Sequence, residues 1–244
     1  DDWKEEYSKM FDTFKSRKAW EEDVLVSSFG LAQSMGEGAG VNYDTEQQGF
    51  VTRYTHVNYG LGFIITKNMV EDDLYDVVGN RKASGLARSM RQTKETVGGN
   101  VYNRAFNSSY LGGDGLELCS LLHINVAGGT WANELSTSAD ISEAALEQAC
   151  IDIGKWTDDR GLKIAARPKS LIVPTDLDFE TNKIMKTEYE VGTANNTVNI
   201  VRSRFPGGVF VSHYLTDVDA WFIKTDVANG MKYWTRRDDT FATD

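Results

Sequence analysis

The sequence predicts an α+β protein in which two elements are longer than a compact domain needs. Extended-chain residues run from Phe50 to Ile65, and a helical run from Asp73 to Phe106 follows almost at once. In the first run the odd positions Val51, Val57, Tyr59, Leu61, Phe63 and Ile65 are largely apolar. The even ones carry Thr52, Tyr54, His56, Asn58, Gly60 and Gly62, which is the two-residue period of a strand. At about 3.3 Å per residue such a strand spans roughly 50 Å, against the usual ~17 to 20 Å, so a projecting hairpin is expected. The helix, if continuous, also spans roughly 50 Å. Beyond Gly115 short apolar runs alternate with capped helical stretches, a mixed α/β unit.

From the start of the chain, Trp3, Tyr7, Met10, Phe11 and Phe14 fall at helical spacing among charges, which predicts a short amphipathic helix within residues 3–20. Its apolar face packs either on its own domain or on another chain. Val24 to Val26 predict a short strand, and 29–49 a Gly-rich loop with its tip at Gly36 to Gly40. In the long helix Leu74, Val78, Leu86, Met90, Val97, Val101 and Ala105 form one narrow apolar stripe. Arg81, Lys82, Arg88, Arg91, Lys94 and Arg104 flank it, with Glu95 the one acid from Arg81 to Arg104. This basic face either pairs with acidic neighbours or meets nucleic acid. Gly98-Gly99 is a point where the helix is expected to bend or end.

Further on, Asp140 or Ser142 caps a helix whose Ile141, Ala145, Leu146, Ala149, Ile153 and Trp156 line one side. Leu171 to Val173 form a buried strand stopped by Pro174, and Asp176 opens a helix reaching Lys186. Val198 to Arg202, Val209 to Ser212, Ala220 to Lys224 and Met231 to Trp234 read as further strands.

The 244 residues allow one large domain or two modest ones, and the net charge of -10 argues against a dedicated nucleic-acid binder. Cys119 and Cys150 have neither CxxC nor His/Cys spacing, so buried thiols are expected rather than zinc or a disulfide scaffold. No apolar stretch approaches the ~20 residues of a membrane helix, and Asp1-Asp2-Trp3-Lys4 lacks signal-peptide character, which predicts a soluble cytoplasmic product. A chain opening on Asp1 is expected to be processed or incomplete.

Catalytic signals are weak. Gly36-Glu37-Gly38-Ala39-Gly40 is followed by Val41-Asn42-Tyr43-Asp44 and not by a helix, so it makes no dinucleotide loop. His56, His123 and His213 are the three histidines; a Cys-dependent hydrolase would draw on Cys150 and His213, but nothing in their spacing joins them. Asp158-Asp159-Arg160 and Asp217-Val218-Asp219 read as turn caps.

A resemblance covers nearly the whole chain in one order. Gly60-Leu61-Gly62-Phe63-Ile64-Ile65-Thr66, Leu86-Ala87-Arg88-Ser89-Met90-Arg91-Gln92-Thr93-Lys94-Glu95-Thr96, Asn103-Arg104-Ala105-Phe106 and Gly112-Gly113-Asp114-Gly115 resemble the Mu-like major head subunits of tailed bacteriophages. So do Leu146-Glu147-Gln148-Ala149, Asp158-Asp159-Arg160-Gly161-Leu162, His213-Tyr214-Leu215-Thr216-Asp217 and Ala220-Trp221-Phe222. His123-Ile124 stands where the family has His-Pro, and family members continue well beyond Phe241.

The resemblance implies the Hong Kong 97-like (Johnson) capsid fold: an N-terminal arm at 1–28, an extended loop at 29–66, a peripheral domain with a spine helix at 67–139, an axial domain at 140–225 and a return to the periphery at 226–244. It implies a major capsid protein without cofactor or catalysis, forming pentamers and hexamers of a shell around double-stranded DNA, assembled in the host cytoplasm. Portal, scaffold and cement proteins would be its partners, and a bacterial nanocompartment shell the related alternative. Expected interface residues are Glu37, Arg53, Tyr54, Val57, Tyr59, Leu61 and Phe63 on the loop and hairpin, with Trp3 and Phe11 on the arm. Arg81, Arg88 and Arg91 are expected to face DNA weakly or a neighbouring subunit's acids. Some shells of this fold link a loop lysine to an asparagine, but Leu31 to Thr66 contains no lysine, so that route is closed here.

Overall fold

The computed structural model describes residues 4–72, 75–189 and 197–242. Along the chain come helix α1 (Tyr7–Met10), strands β1 (Asp12–Lys15), β2 (Trp20–Val26) and β3 (Gln48–Thr55), then helices α2 (Lys67–Glu71) and α3 (Tyr75–Asn103). A two-residue ladder, β4 (His123–Ile124) with β5 (Thr130–Trp131), leads to α4 (Glu143–Lys155), β6 (Pro168–Pro174), α5 (Asp178–Lys186), β7 (Val209–Ser212), β8 (Phe222–Thr225) and β9 (Lys232–Thr235).

β6 organises the interior. It lies between β7, parallel to it, and β8, antiparallel, and from Leu171 to Pro174 it is buried throughout. Covered on both faces, it needs the unbroken apolar run that the sequence shows. Its two-residue period also sorts two cores. Ile172 packs with Met10, Phe11, Tyr102, Ala105, Leu215 and Phe222 on one side. Leu171 and Val173 pack with Ile141, Leu146, Ile184, Val201 and Phe205 on the other.

The long helix is present, 29 residues from Tyr75 to Asn103, or about 44 Å at 1.5 Å per residue. Its buried line departs from the expected stripe: Ala105, just past the helix, is buried as expected, but Val101 is exposed and the other buried positions are Glu95, Gly98, Gly99 and Tyr102. Leu74, which would begin that stripe, lies outside the described residues. Gly98-Gly99 does not break the helix. A Cβ on Gly99 would lie 2.8 Å from the Tyr214 carbonyl oxygen, and one on Gly98 3.1 Å from the Tyr7 Cβ. The pair lets two segments approach the helix backbone, which offsets their poor helix propensity.

The expected N-terminal helix is a single turn. Beyond Met10 the chain becomes β1, which pairs in parallel with β9 from Asp12↔Lys232 to Lys15↔Thr235. The spacing of Tyr7, Met10, Phe11 and Phe14 suits a helix, but Met10 and Phe11 are drawn into the first core and Phe14 packs on Trp234 with ring centroids 5.0 Å apart. Tertiary contacts override local periodicity here.

The long strand is also shorter than expected. β3 ends at Thr55, and residues 56–66 run on without regular structure. Asn58, Gly60 and Gly62 disfavour a ladder, and β2 has no residues left to pair with them, since its Trp20 already faces Thr55. The hairpin is nonetheless real: β2 and β3 are antiparallel, with a register shift between Val24 and Val26. Ser142 caps α4, its Oγ accepting the Ala145 N–H at 3.2 Å. Asp176 falls in a 3-10 turn before α5, and Val201–Ser203, overlapping the strand expected from Val198 to Arg202, form another.

Candidate assembly surface

The hairpin base is clamped to the body. Gly49 lets Val126 close on the strand, and Gly113 does the same for Phe50 and Thr52: a Cβ at either position would overlap those side chains. Lys232 Nζ reaches Asp23 Oδ2 at 2.6 Å, and this contact first, with a hydrogen bond from Tyr54 also helping, holds the Asp23 carboxyl below its usual range. Burial pushes the Tyr54 phenol up to about 12, aided by the same carboxylate.

Beyond this base the loop leaves the body. Arg160 ties down its returning limb, Nη2 donating to the Thr45 carbonyl at 2.7 Å with Asp44 Oδ1 at 3.7 Å. Asp44 accepts the Gly30 and Thr45 N–H groups, which hold its carboxyl low. Asp158 is the turn cap expected of it, accepting from the Arg160 and Leu162 N–H groups at 3.0 and 2.7 Å.

The residues expected to meet other subunits separate into classes. Val57, Tyr59 and Leu61 are exposed along the irregular run, joined by Ile64 at 83% and, on the loop, Leu31 at 81% and Tyr43 at 95% exposure. Glu37 is exposed at the loop tip. Arg53 is on the hairpin surface, ion-paired to Glu22 at 2.6 Å and lying over the Trp20 ring. Tyr54 is half-buried against Trp234, and Phe63 half-buried against Phe241. Phe11 is a correction: it is 3% exposed, stacked edge-on against Tyr102 in the first core, and so is unavailable to a neighbour. Trp3 lies outside the described residues.

Along α3, Arg81, Arg88 and Arg91 are exposed and have no ion pair among the described residues. The other flanking cations are engaged within the chain. Lys82 donates to the Ile64 carbonyl, Lys94 pairs with Asp239 at 2.9 Å, and Arg104 lies over the Tyr110 ring. The charge residue that sequence reasoning missed is Glu95, 1% exposed, which accepts the N–H groups of Glu6 and Tyr7. A lone acid among arginines reads as solvated, and nothing local marks it.

The groups considered for catalysis are committed elsewhere. His213 Nδ1 lies 2.6 Å from Glu6 Oε1, and His123 Nδ1 2.5 Å from Asp114 Oδ2 while its ring stacks on Trp131. Cys150 packs against the second core, and burial raises its thiol; Cys119 is raised further, to about 12. A nucleophilic cysteine needs the opposite shift.

Two buried cores and a clamped hairpin, with a long apolar strip left uncovered, are the features of a subunit and not of an active-site scaffold. A family model described as phage capsid protein matches residues 49–244, and the chain belongs to this family. It is a structural protein rather than an enzyme, and the resemblance to phage capsid subunits holds. No curated protein matches it. Among solved structures, the capsid of bacteriophage JBD30 decorated with minor capsid protein trimers is similar at a TM-score of 0.64 and 12% identity, over 86% of this chain and 90% of that one. The bacteriophage JBD30 capsid is similar at 0.65 and 13%, over 84% and 89%. At these identities the likeness is one of fold. Among the described residues no helix is long and apolar enough to cross a membrane.

Proposed function

We propose that the chain is the major capsid subunit of a tailed phage, assembling as pentamers and hexamers into an icosahedral shell around double-stranded DNA. The observation that carries this reading is the strip of Val57, Tyr59, Leu61 and Ile64, exposed on a loop that the chain's own body does not cover. Apolar side chains displayed in this way are buried when the loop lies over an adjacent copy, so that assembly completes the fold.

In this reading residues 29–66 are the extended loop, 67–139 the peripheral domain with α3 as spine, 140–225 the axial domain and 226–244 the return to the periphery. The N-terminal 1–28 is less an arm than its expected name implies, since Met10 and Phe11 are core residues and β1 is paired to β9. Arg81, Arg88 and Arg91 face packaged DNA or acidic groups of a neighbour, and the chain's negative charge keeps DNA contact weak. Portal, scaffold and cement proteins complete the virion in which the subunit resides. Assembly takes place in the host cytoplasm.

Negative-stain electron microscopy of the purified chain tests this. Closed shells, tubes or capsomer rings are expected; uniform small particles at every concentration overturn it.

A further inference from the structure

The contacts that hold the inner face of the β2–β3 hairpin to the body lie in order from its Trp20 end towards the extended loop. β9 supplies the first, where Lys232 meets Asp23 and Trp234 packs on Tyr54. Next, the Gly113 backbone lies against Thr52 and Phe50. Farthest out, Val126 closes on Gly49 beside Leu25, where the register slips between Val24 and Val26. From Tyr54 to Gly49 the strand covers roughly 17 Å at 3.3 Å per residue. The β9 contacts by themselves make a pivot; the two outer contacts fix a direction.

Those outer contacts come from segments with little support of their own. Gly113 sits in a turn closed by the Gly115 N–H on the Gly112 carbonyl at 3.2 Å. Val126 sits at the tip of the two-residue β4–β5 ladder, whose turn contains Gly128 and Gly129, both at positive φ. One side-chain bond joins the two segments: His123 Nδ1 on β4 lies 2.5 Å from Asp114 Oδ2, with the two side chains 8% and 10% exposed. Among the described residues, no other hydrogen bond ties residues 122–131 to a segment outside 120–133. The ring's other nitrogen, Nε2, is buried without a partner, and its face stacks on Trp131. Losing either member leaves the other out of water and unpaired, so this bond holds the two segments firmly while it lasts.

We propose that the Asp114–His123 pair is a latch that sets the direction in which the extended loop leaves the body. While it is closed, the hairpin rests on Gly113 and Val126 together. When it opens, Val126 withdraws and the hairpin turns as a unit about Asp23 and Lys232, with both cores intact. In the shell reading above, such a turn lets one chain meet neighbours at the different angles of pentamers and hexamers. The latch itself belongs to the single chain, so its test needs no assembly.

The test uses the full chain, kept dilute enough to remain monomeric. Nitroxide labels are attached through p-acetylphenylalanine at two exposed positions, 48 at the outer end of the hairpin and 183 on α5. Pulsed electron resonance is expected to give one narrow distance distribution between them. His123→Phe keeps a ring against Trp131 and removes the bonding nitrogen. It should broaden that distribution and speed hydrogen exchange of the 123–131 amides roughly ten- to a hundredfold, as for a lost bond to a carboxylate, while exchange in β2, β3 and β6 is unchanged. Asp114→Ala should act alike, and the double variant should exchange no faster than the faster single one. Val126→Ala should broaden the distribution with the pair still closed, and it decides the matter if a change at the pair prevents folding. A distribution that is already broad without these changes, or that stays narrow in His123→Phe or Val126→Ala, overturns the proposal. So do additive effects at Asp114 and His123, or faster exchange within β2 and β3, which means that the hairpin frays instead of turning. A chain that never forms shells removes the shell reading and leaves the latch result standing.

Discussion

Glu95 of α3 is buried at 1% exposure and accepts the backbone N–H of Glu6 at 2.9 Å and of Tyr7 at 2.8 Å, so one spine carboxylate fixes the start of the chain. Glu6 extends the link, its own carboxylate accepting from Ser212 Oγ and the His213 N–H at the end of β7.

Glu95→Ala removes two charge-assisted hydrogen bonds and leaves two donors unpaired. At about 1.5 to 3 kcal/mol for a bond to a charged group, a loss of about 3 to 5 kcal/mol is expected. For a chain of this size that lowers Tm by roughly 6 to 20 °C in calorimetry. Glu95→Gln keeps one acceptor and falls between. A change below about 1 kcal/mol for the alanine variant shows that the N-terminal turn is held by its apolar residues alone.

Two glycines of α3 separate propensity from packing. A Cβ added at Gly85 would have nothing within 4 Å, so Gly85→Ala gains helix propensity without contact and stabilises by about 0.5 to 1 kcal/mol. Gly99→Ala makes the same propensity gain, yet its Cβ would meet the Tyr214 backbone at 2.8 Å, and backbone cannot step aside. A net destabilisation of about 1 to 3 kcal/mol is expected. Denaturant melts of both variants should move in opposite directions; two shifts of the same sign refute the close-approach account.

These glycines also mark how far the sequence could be read. The spine helix was legible in extent though not in its buried line: the expected span from Asp73 to Phe106 brackets the observed Tyr75–Asn103. β6 was legible as an apolar run closed by proline, and the α4 start through Ser142. The pairing of β1 with β9 was not, since it joins residues more than two hundred positions apart and leaves no local trace. On the candidate surface, the exposure of Val57, Tyr59 and Leu61 was legible because apolar residues beside glycines are conspicuous. Phe11 was misplaced because a core aromatic and an interface aromatic look the same in one dimension.

Alkaline pH should loosen the hairpin base, where Tyr54 lies, and the edge of the first core, where Tyr233 packs on Tyr7 and Phe11. The Tyr54 and Tyr233 phenols are both pushed up to about 12, chiefly by burial, from an ordinary value of about 10. A group whose folded value is raised contributes stability that is complete below the unfolded value and disappears as pH climbs through the folded one. Thermal stability is therefore expected to fall between about pH 10 and 12 as these phenols ionise. Tyr54→Phe should make that decline shallower, and an identical pH profile for the variant rules Tyr54 out as a contributor.

The extended loop should be separable from the subunit's own fold, with the cut placed where the contacts fall. Because β3 pairs with β2 and is clamped at Gly49 and Gly113, deletion through the strand removes part of the body. Replacing residues 31–43 with a short Gly/Ser linker instead leaves Asp44, Thr45 and their Arg160 tether in place. That variant should remain folded, with Tm within about 2 °C of wild type, as expected for surface changes away from packed contacts. The apolar strip can be tested without shortening the chain. Tyr59→Ser with Leu61→Ser changes two exposed side chains, and at about 25 cal/mol per Å² their burial against a neighbour contributes several kcal/mol per contact before ordering costs. Repeated around a shell, that loss should abolish closed particles in sedimentation while the monomer's cooperative melt is unchanged. Normal shells from the double variant place the main interface elsewhere, and an unfolded double variant places the strip in the subunit's own core.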